Sequence, residues 1–112
     1  MYSNNTGKKL DLCDSIIENI AWDKNMLDII ITINYYLGKN DDKIIKIKFL
    51  NCSRFIYQIN SIGLCSNTHI WECITIVQWR VNENNGELEV SFEGDRNYRF
   101  LTINCRDFII EE

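Results

Sequence analysis

Trp71 to Phe92 reads WECITIVQWRVNENNGELEVSF, and it reads as a β-hairpin. The first arm sets Trp71, Cys73, Thr75, Val77, Trp79 and Val81 on one side at a spacing of two, the period of a strand. The second arm sets Leu88, Val90 and Phe92 on one side in the same way. Between the arms lies Asn85-Gly86, a dipeptide that tolerates the positive φ of a type I′ turn. A two-residue turn there places Val81 opposite Val90 and Trp79 opposite Phe92. The other side then pairs Gln78 with Glu93 and Arg80 with Ser91. A slip of one residue mixes the two sides, so this register is specified. The hairpin therefore predicts a sheet with one dry face and one polar, acid-rich face.

Outward from the hairpin, the chain repeats the same theme. Upstream, Lys43 to Leu50 alternates sharply, with Ile45, Ile47 and Phe49 inward and Lys46 and Lys48 outward. Met26 to Leu37 puts Leu27, Ile29, Ile31, Ile33, Tyr35 and Leu37 on one face. Ile16 to Asp23 alternates as well, although Asp14-Ser15 followed by Glu18 also suits a short helix cap; the isoleucines favour a strand. Arg54 to Ile59 is a short strand or one helical turn, and Asn60 to Thr68 is a loop by composition. Downstream, Gly94-Asp95-Arg96-Asn97 turns the chain into a strand from Tyr98 to Cys105. A four-residue turn sets Leu101 and Ile103 beside Val90 and Leu88 on the dry face, with Tyr98, Phe100 and Thr102 on the acidic face; a three-residue turn reverses this. Asp107 to Ile110 is a last short strand. Trp22, Trp71 and Trp79 are assigned to the core.

The expectation is a mainly β protein: an antiparallel curved sheet or β-sandwich, with room for one short helix from the 10–20 or 53–63 region. The chain has 112 residues and 46% hydrophobic residues, enough to bury one core. Residues 1–112 read as a single domain, with 1–13 a loosely ordered lead-in. The N-terminal stretch lacks the apolar centre of a signal peptide, and no apolar run approaches the ~20 residues of a membrane span. The expected location is the cytoplasm, and the five cysteines then read as reduced, partly buried thiols.

Charge is unevenly distributed. Through Asn60, eight bases face seven acids; from Ser61 on, four arginines face nine acids. Glu83, Glu87, Glu89, Glu93 and Asp95 fall between Val81 and Arg96 with no base among them. Such a surface repels nucleic acid and favours a basic protein partner. On a sheet edge, acids also discourage strand-to-strand aggregation, a purely structural use. Tyr98, beside Arg96 and Arg99, is the candidate aromatic anchor, since tyrosine and arginine dominate interface energies.

Catalytic chemistry finds little footing. His69 lies four residues from both Cys65 and Cys73, a spacing that shares one face of a helix. On a strand, His69 and Cys73 stand about 13 Å apart, too far for a shared ion. Paired Cys-x2-4-Cys knuckles of a structural zinc site do not occur. A Cys-His nucleophilic pair lacks a third, orienting residue. There is no glycine-rich phosphate loop. The alternating glutamates belong to an exposed strand face rather than to a pocket with unequal environments. The expectation is thus no catalytic residue, no metal and no cofactor.

Several segments resemble small bacterial immunity proteins of polymorphic and contact-dependent growth-inhibition toxin systems. They are Asp14-Ser15-Ile16-Ile17, Ile20-Ala21-Trp22-Asp23, the strand Leu27 to Ile33, and Ile45-Lys46-Ile47-Lys48-Phe49-Leu50-Asn51-Cys52. The likeness covers the first half of the chain. Some such families carry a histidine before the aspartate of the first segment, where this chain has Cys13. The resemblance implies a non-enzymatic protein, monomeric before it meets its partner, that binds one cognate toxin domain and blocks its active site. A nuclease toxin has a basic cleft for phosphates, which an acidic face suits. The expected binding set is Glu83, Glu87, Glu89, Glu93, Asp95 and Tyr98, with neither nucleic acid nor membrane as partner. Two other readings stay open: a small-molecule- or lipid-binding β domain with a cavity between sheets, lined around Tyr36 and Phe100, and a structural module that oligomerises through an edge strand.

Overall fold

A computed structural model describes residues 2–3, 11–25, 27–36, 43–59, 74–94 and 99–111. They form nine strands: β1 (Tyr2–Ser3), β2 (Ile16–Trp22), β3 (Ile29–Tyr35), β4 (Lys43–Leu50), β5 (Arg54–Ile59), β6 (Ile74–Asn84), β7 (Glu87–Gly94), β8 (Arg99–Cys105) and β9 (Asp107–Glu111). All pairings are antiparallel, in the order β1-β9-β4-β3-β2-β6-β7-β8-β5. The protein is mainly β, with a curved antiparallel sheet. Both regions that left room for a helix, 10–20 and 53–63, hold strands where they are described, and no described residue is helical.

The sheet consists of two halves. β1, β9, β4, β3 and β2 form the first, and β6, β7, β8 and β5 the second. The seam between them is narrow: β2 pairs β6 only at Ile16–Thr75 and Ile17–Ile74. Two further hydrogen bonds hold it, from Asp14 N–H to the Ile76 carbonyl and from Ile76 N–H to the Ser15 carbonyl, both 2.8 Å. At the far side the chain passes between halves twice, from β4 to β5 through residues 51–53 and from β8 to β9 through Arg106. The crossings are laced together. Arg106 N–H donates to the Leu50 carbonyl (3.0 Å), Ser53 N–H to the Asn104 carbonyl (2.8 Å), and Cys52 N–H to the Leu27 carbonyl (2.6 Å). Asn51 takes a left-handed φ of 52° at this corner, which asparagine tolerates, and its N–H donates to Asp28 Oδ1 at 3.0 Å.

The inner faces meet as a dry core. Ile29, Ile31 and Ile33 on β3 and Ile45, Ile47 and Phe49 on β4 are buried, as their alternation requires. Against them lie Leu88, Val90 and Phe92 on β7 and Leu101 and Ile103 on β8. Aromatic rings tie the halves. Phe49 meets Phe108 (5.8 Å between centroids) and Phe92 (6.4 Å, edge-on), while Trp79 stacks on Phe92 at 5.7 Å.

The β6–β7 hairpin takes the expected register. Trp79 is opposite Phe92, Val81 opposite Val90, Gln78 opposite Glu93 and Arg80 opposite Ser91. Asn85 (φ 54°) and Gly86 (φ 77°) make the turn. One expectation for the first arm fails. Thr75 and Val77 do not share a side with Trp79; Ile74 and Ile76 are the buried pair. A bulge between Ile76 and Gln78 adds one residue, and each added residue exchanges the two faces of the strand beyond it. A second bulge, between Ile17 and Asn19, makes Ile17 and Ile20 the buried residues of β2. Trp22, expected in the core, lies at the end of β2 with 37% of its surface exposed, its ring edge-on to Phe55 at 4.9 Å. Trp79 is half-buried in the aromatic cluster. Trp71 lies outside the described residues.

The β7–β8 turn also differs from the expectation. Gly94 still pairs, with Arg99, so Leu101 faces Phe92 and Ile103 faces Val90. That is a two-residue shift from the four-residue-turn register, which leaves Leu101 and Ile103 on the dry face and Phe100 and Thr102 on the other, the opposite of what a three-residue turn would give. At Gly94, β6 approaches closely. A Cβ built there would stand 2.5 Å from Ile74 Cγ2 and 3.2 Å from the Thr75 carbonyl oxygen. Only glycine admits β6 at that distance.

Candidate functional site

The outer face of the second half-sheet carries the hypothesised binding residues. Strand pairing sorts its outward side chains into rows running from β6 through β7 and β8 to β5. One row is Gln78, Glu93, Phe100 and Gln58; the next is Arg80, Ser91, Thr102 and Ile56; the third is Asn82, Glu89, Asn104 and Arg54. Glu87, opposite Asn84, begins the β7 column. Glu87, Glu89 and Glu93 therefore share one face, because residues two apart on a strand point the same way. Each is partly exposed.

Glu83 does not join them. It sits opposite Leu88, whose side chain is inward, so it projects to the other side of the hairpin tip. Asp95 and Tyr98 lie outside the described residues. The carboxylates are also less isolated than the chain order suggests. Strand pairing brings Arg80 beside Ser91, between the levels of Glu89 and Glu93, and Arg54 beside Asn104. A run free of bases along the chain becomes, across the four strands β6, β7, β8 and β5, a carboxylate column with an arginine to either side.

Local contacts distinguish the three glutamates. Glu87 accepts a hydrogen bond from the Ser53 hydroxyl, which ties it to the corner between β4 and β5. Near Glu93, Arg80 is held along its own strand: with its amide carbonyl turned toward the guanidinium, Gln78 accepts from Nη2 at 2.7 Å. Glu89 stands between two asparagines. One of them, Asn104, has its Oδ1 buried with no hydrogen-bond partner. The Glu89 row thus offers acceptors and calls for a donor.

Between these rows the face is concave. A cleft of about 220 Å³ is lined by Gln78, Arg80, Ser91, Glu93, Phe100 and Thr102. Ser91 stands in the middle of it, between Arg80 and Thr102. Phe100 supplies an aromatic wall, partly exposed. Sequence reading named Glu89 and Glu93 but missed Ser91 and Asn104 as part of the site. The pairing of Arg80 with Ser91 was the signal available for Arg80.

Burial raises the Cys105 thiol to about 12, with the neighbouring Cys52, Asp107 and Glu87 adding to the shift against a backbone hydrogen bond from Asp107. Burial raises Cys52 to about 11, opposed by a backbone hydrogen bond from Ile29 and reinforced by Asp28. Both thiols stay protonated at neutral pH, the wrong state for a nucleophile. Cys13, Cys52 and Cys105 are free thiols. Among the described residues no group of three or more His, Cys, Asp and Glu side chains is placed to hold a metal; Cys65, His69 and Cys73 lie outside them. No helix of the described residues is long and apolar enough to cross a membrane. Inside, the space bounded by Ile17, Ile20, Tyr57, Ile76, Arg99 and Leu101 has a volume of about 10 Å³, room for one water at most. Arg99, which the sequence placed beside the anchor tyrosine, is buried on the inner face opposite Gly94.

No protein-family profile matches the chain, and no curated protein matches it. Among solved structures it is similar to the crystal structure of an uncharacterized protein from Neisseria gonorrhoeae. The two share 13% identity with a TM-score of 0.67, over 89% of this chain and 92% of that one. At that identity the likeness establishes a common fold and nothing further.

Proposed function

We propose that this protein is an immunity-type inhibitor that binds a cognate toxin domain, most suitably a nuclease with a basic cleft, through the outer face of β6, β7 and β8. The observation that carries the proposal is the β7 column of Glu87, Glu89 and Glu93 beside the concave surface at Ser91 and Phe100. A carboxylate column stands in for the phosphates that such a cleft holds, and long-range attraction speeds encounter. Phe100 and the cleft give a contacting side chain a place to be buried, which slows dissociation. Inhibition of this kind needs occlusion alone and calls on no reactive thiol. A ligand-binding domain would need a pocket of about 300–1,000 Å³, and the 10 Å³ interior space gives that reading no support.

The test is kinetic. The toxin domain is sought as the variable C-terminal region of a large secreted protein encoded upstream, and its association rate with this chain is measured across ionic strengths. Glu89→Lys with Glu93→Lys should slow association about tenfold or more at low salt, with the difference shrinking as the Debye length falls below about 5 Å. An association rate that the double reversal leaves unchanged removes the electrostatic basis of the proposal.

A further inference from the structure

The two crossings between the half-sheets bring a pair of thiols together. Leu50 on β4 is opposite Asp107 on β9, and the same register carried two residues on sets Cys52 opposite Cys105. The β5–β8 register starts just beyond, at Arg54–Asn104. The backbone bonds agree. Ser53 N–H donates to the Asn104 carbonyl at 2.8 Å, the bond that follows a directly opposed, non-hydrogen-bonded pair at 52 and 105. On the other side Arg106 N–H donates to the Leu50 carbonyl, while Asn51, at its left-handed φ, gives its own N–H to Asp28. Directly opposed residues of this kind stand about 4.5 Å apart at Cα, inside the range of about 4.4–6.8 Å that a disulfide spans. Both side chains turn toward one core. Cys105 is fully buried on the inner face opposite Leu88. Cys52 packs against the same cluster, its thiol donating to the Phe49 carbonyl at 3.4 Å. Cys52 is also among the groups that push the Cys105 thiol up, which requires proximity.

Access distinguishes the two. Cys105 is closed off, whereas Cys52 lines a cleft of about 180 Å³ with Trp22, Ile29, Ser53, Arg54 and Phe55. A small reagent therefore meets Cys52 first. We propose that Cys52 and Cys105 are a disulfide-forming pair, closed by a low-molecular-weight disulfide such as glutathione disulfide. The Cys52 thiolate attacks one sulfur of the reagent, and one glutathione leaves as its thiolate. Cys105 then gives up its proton and attacks the Cys52 sulfur, and the second glutathione leaves. Two protein thiols are oxidised to one disulfide, and one glutathione disulfide is reduced to two glutathiones. Burial keeps both thiols protonated, so the first step is slow at neutral pH. Once formed, the bond ties the β4–β5 crossing to the β8–β9 crossing and restricts the unfolded chain over a long loop.

Peptide mapping tests this. The full chain, first reduced, is equilibrated with glutathione disulfide at pH 9, its remaining thiols are alkylated, and it is digested with trypsin without reduction. Cleavage after Lys48, Arg54, Arg99 and Arg106 should release Phe49–Arg54 joined to Phe100–Arg106 as the main linked species. At pH 7 the oxidised protein should melt about 10 °C or more above the reduced one. Cys105→Ala should hold one glutathione at Cys52, because no second thiol expels it. Cys52→Ser, a partly exposed change, should leave Cys105 unmodified; it keeps the test valid if Cys105→Ala misfolds. Cys13→Ser should leave the linked peptide unchanged. A wild type that keeps glutathione on Cys52, leaves both thiols untouched, or links either one mainly to Cys13, Cys65 or Cys73 overturns the inference. So does a Cys52–Cys105 bond that lowers Tm, since the corner must then distort to close it.

Discussion

Gly94→Ala isolates the close approach of β6 to β7. A methyl group there begins 2.5 Å from Ile74 Cγ2, about 1 Å inside ordinary carbon contact. Ile74 is buried, and the atom in question is a branch methyl on Cβ, so it cannot swing away as a long side chain would. The Thr75 carbonyl at 3.2 Å blocks relief in the other direction. Overpacking of this kind costs about 1–3 kcal/mol. The loss of glycine's freedom in the unfolded chain returns about 0.4–1 kcal/mol. The expected net destabilisation is about 1–2 kcal/mol, which for a chain of this length lowers Tm by about 4–8 °C. Urea unfolding followed by tryptophan fluorescence should show a lower midpoint at an unchanged slope. In an Ile74→Ala background, where Cγ2 is gone, the same Gly94 substitution should cost a few tenths of a kcal/mol at most, a coupling of about 1 kcal/mol. Gly86 is the control: nothing lies within 4 Å of a Cβ there, but its φ is +77°. Gly86→Ala should cost about 1 kcal/mol through backbone strain, whatever stands at Ile74. Equal costs for Gly94→Ala in both backgrounds would falsify the steric account.

Two further variants probe the core. Phe49→Ala removes the ring that meets both Phe92 and Phe108 and should cost about 3–5 kcal/mol by chemical denaturation; a loss under 1 kcal/mol would mean the halves are not joined through that cluster. Cys105, raised from 9.0 to about 12, keeps its proton in the folded state while the unfolded chain loses it. Its contribution is therefore complete below pH 9 and falls as pH rises from 9 toward 12, with a slope of up to about 1.4 kcal/mol per pH unit. Cys105→Ala should flatten that alkaline loss relative to wild type, and parallel stability curves for the two proteins would contradict the assignment.

The strands were legible where burial is one-sided and uninterrupted. Ile45, Ile47 and Phe49 against Lys46 and Lys48 admit one orientation, because reversing the strand would bury two ammonium groups. The β6–β7 register followed from Asn85-Gly86 for a similar reason: a one-residue slip sets the acidic side of one arm against the apolar side of the other. The candidate site was half legible. Period two collects Glu87, Glu89 and Glu93 on one face of β7, and the Asn85-Gly86 turn already set Arg80 beside Ser91, but nothing local said which strand lies on the far side of β8, so Arg54 and Asn104 entered through pairing alone. Glu83 was misplaced because acid content was counted along the chain and not by face.

Local alternation and turn chemistry, then, were enough to determine an antiparallel β protein, its central hairpin and the inward set of most strands. Both bulges belonged to the tertiary structure. On β6, the alternation alone admits either Thr75 and Val77 or Ile74 and Ile76 on the dry side, and the burial of Ile74 and Ile76 came with pairing to β2 and β7. The same holds for the two halves: which strands adjoin, and which charges gather on each outer face, depends on contacts between residues far apart in the chain, and no local pattern encodes those.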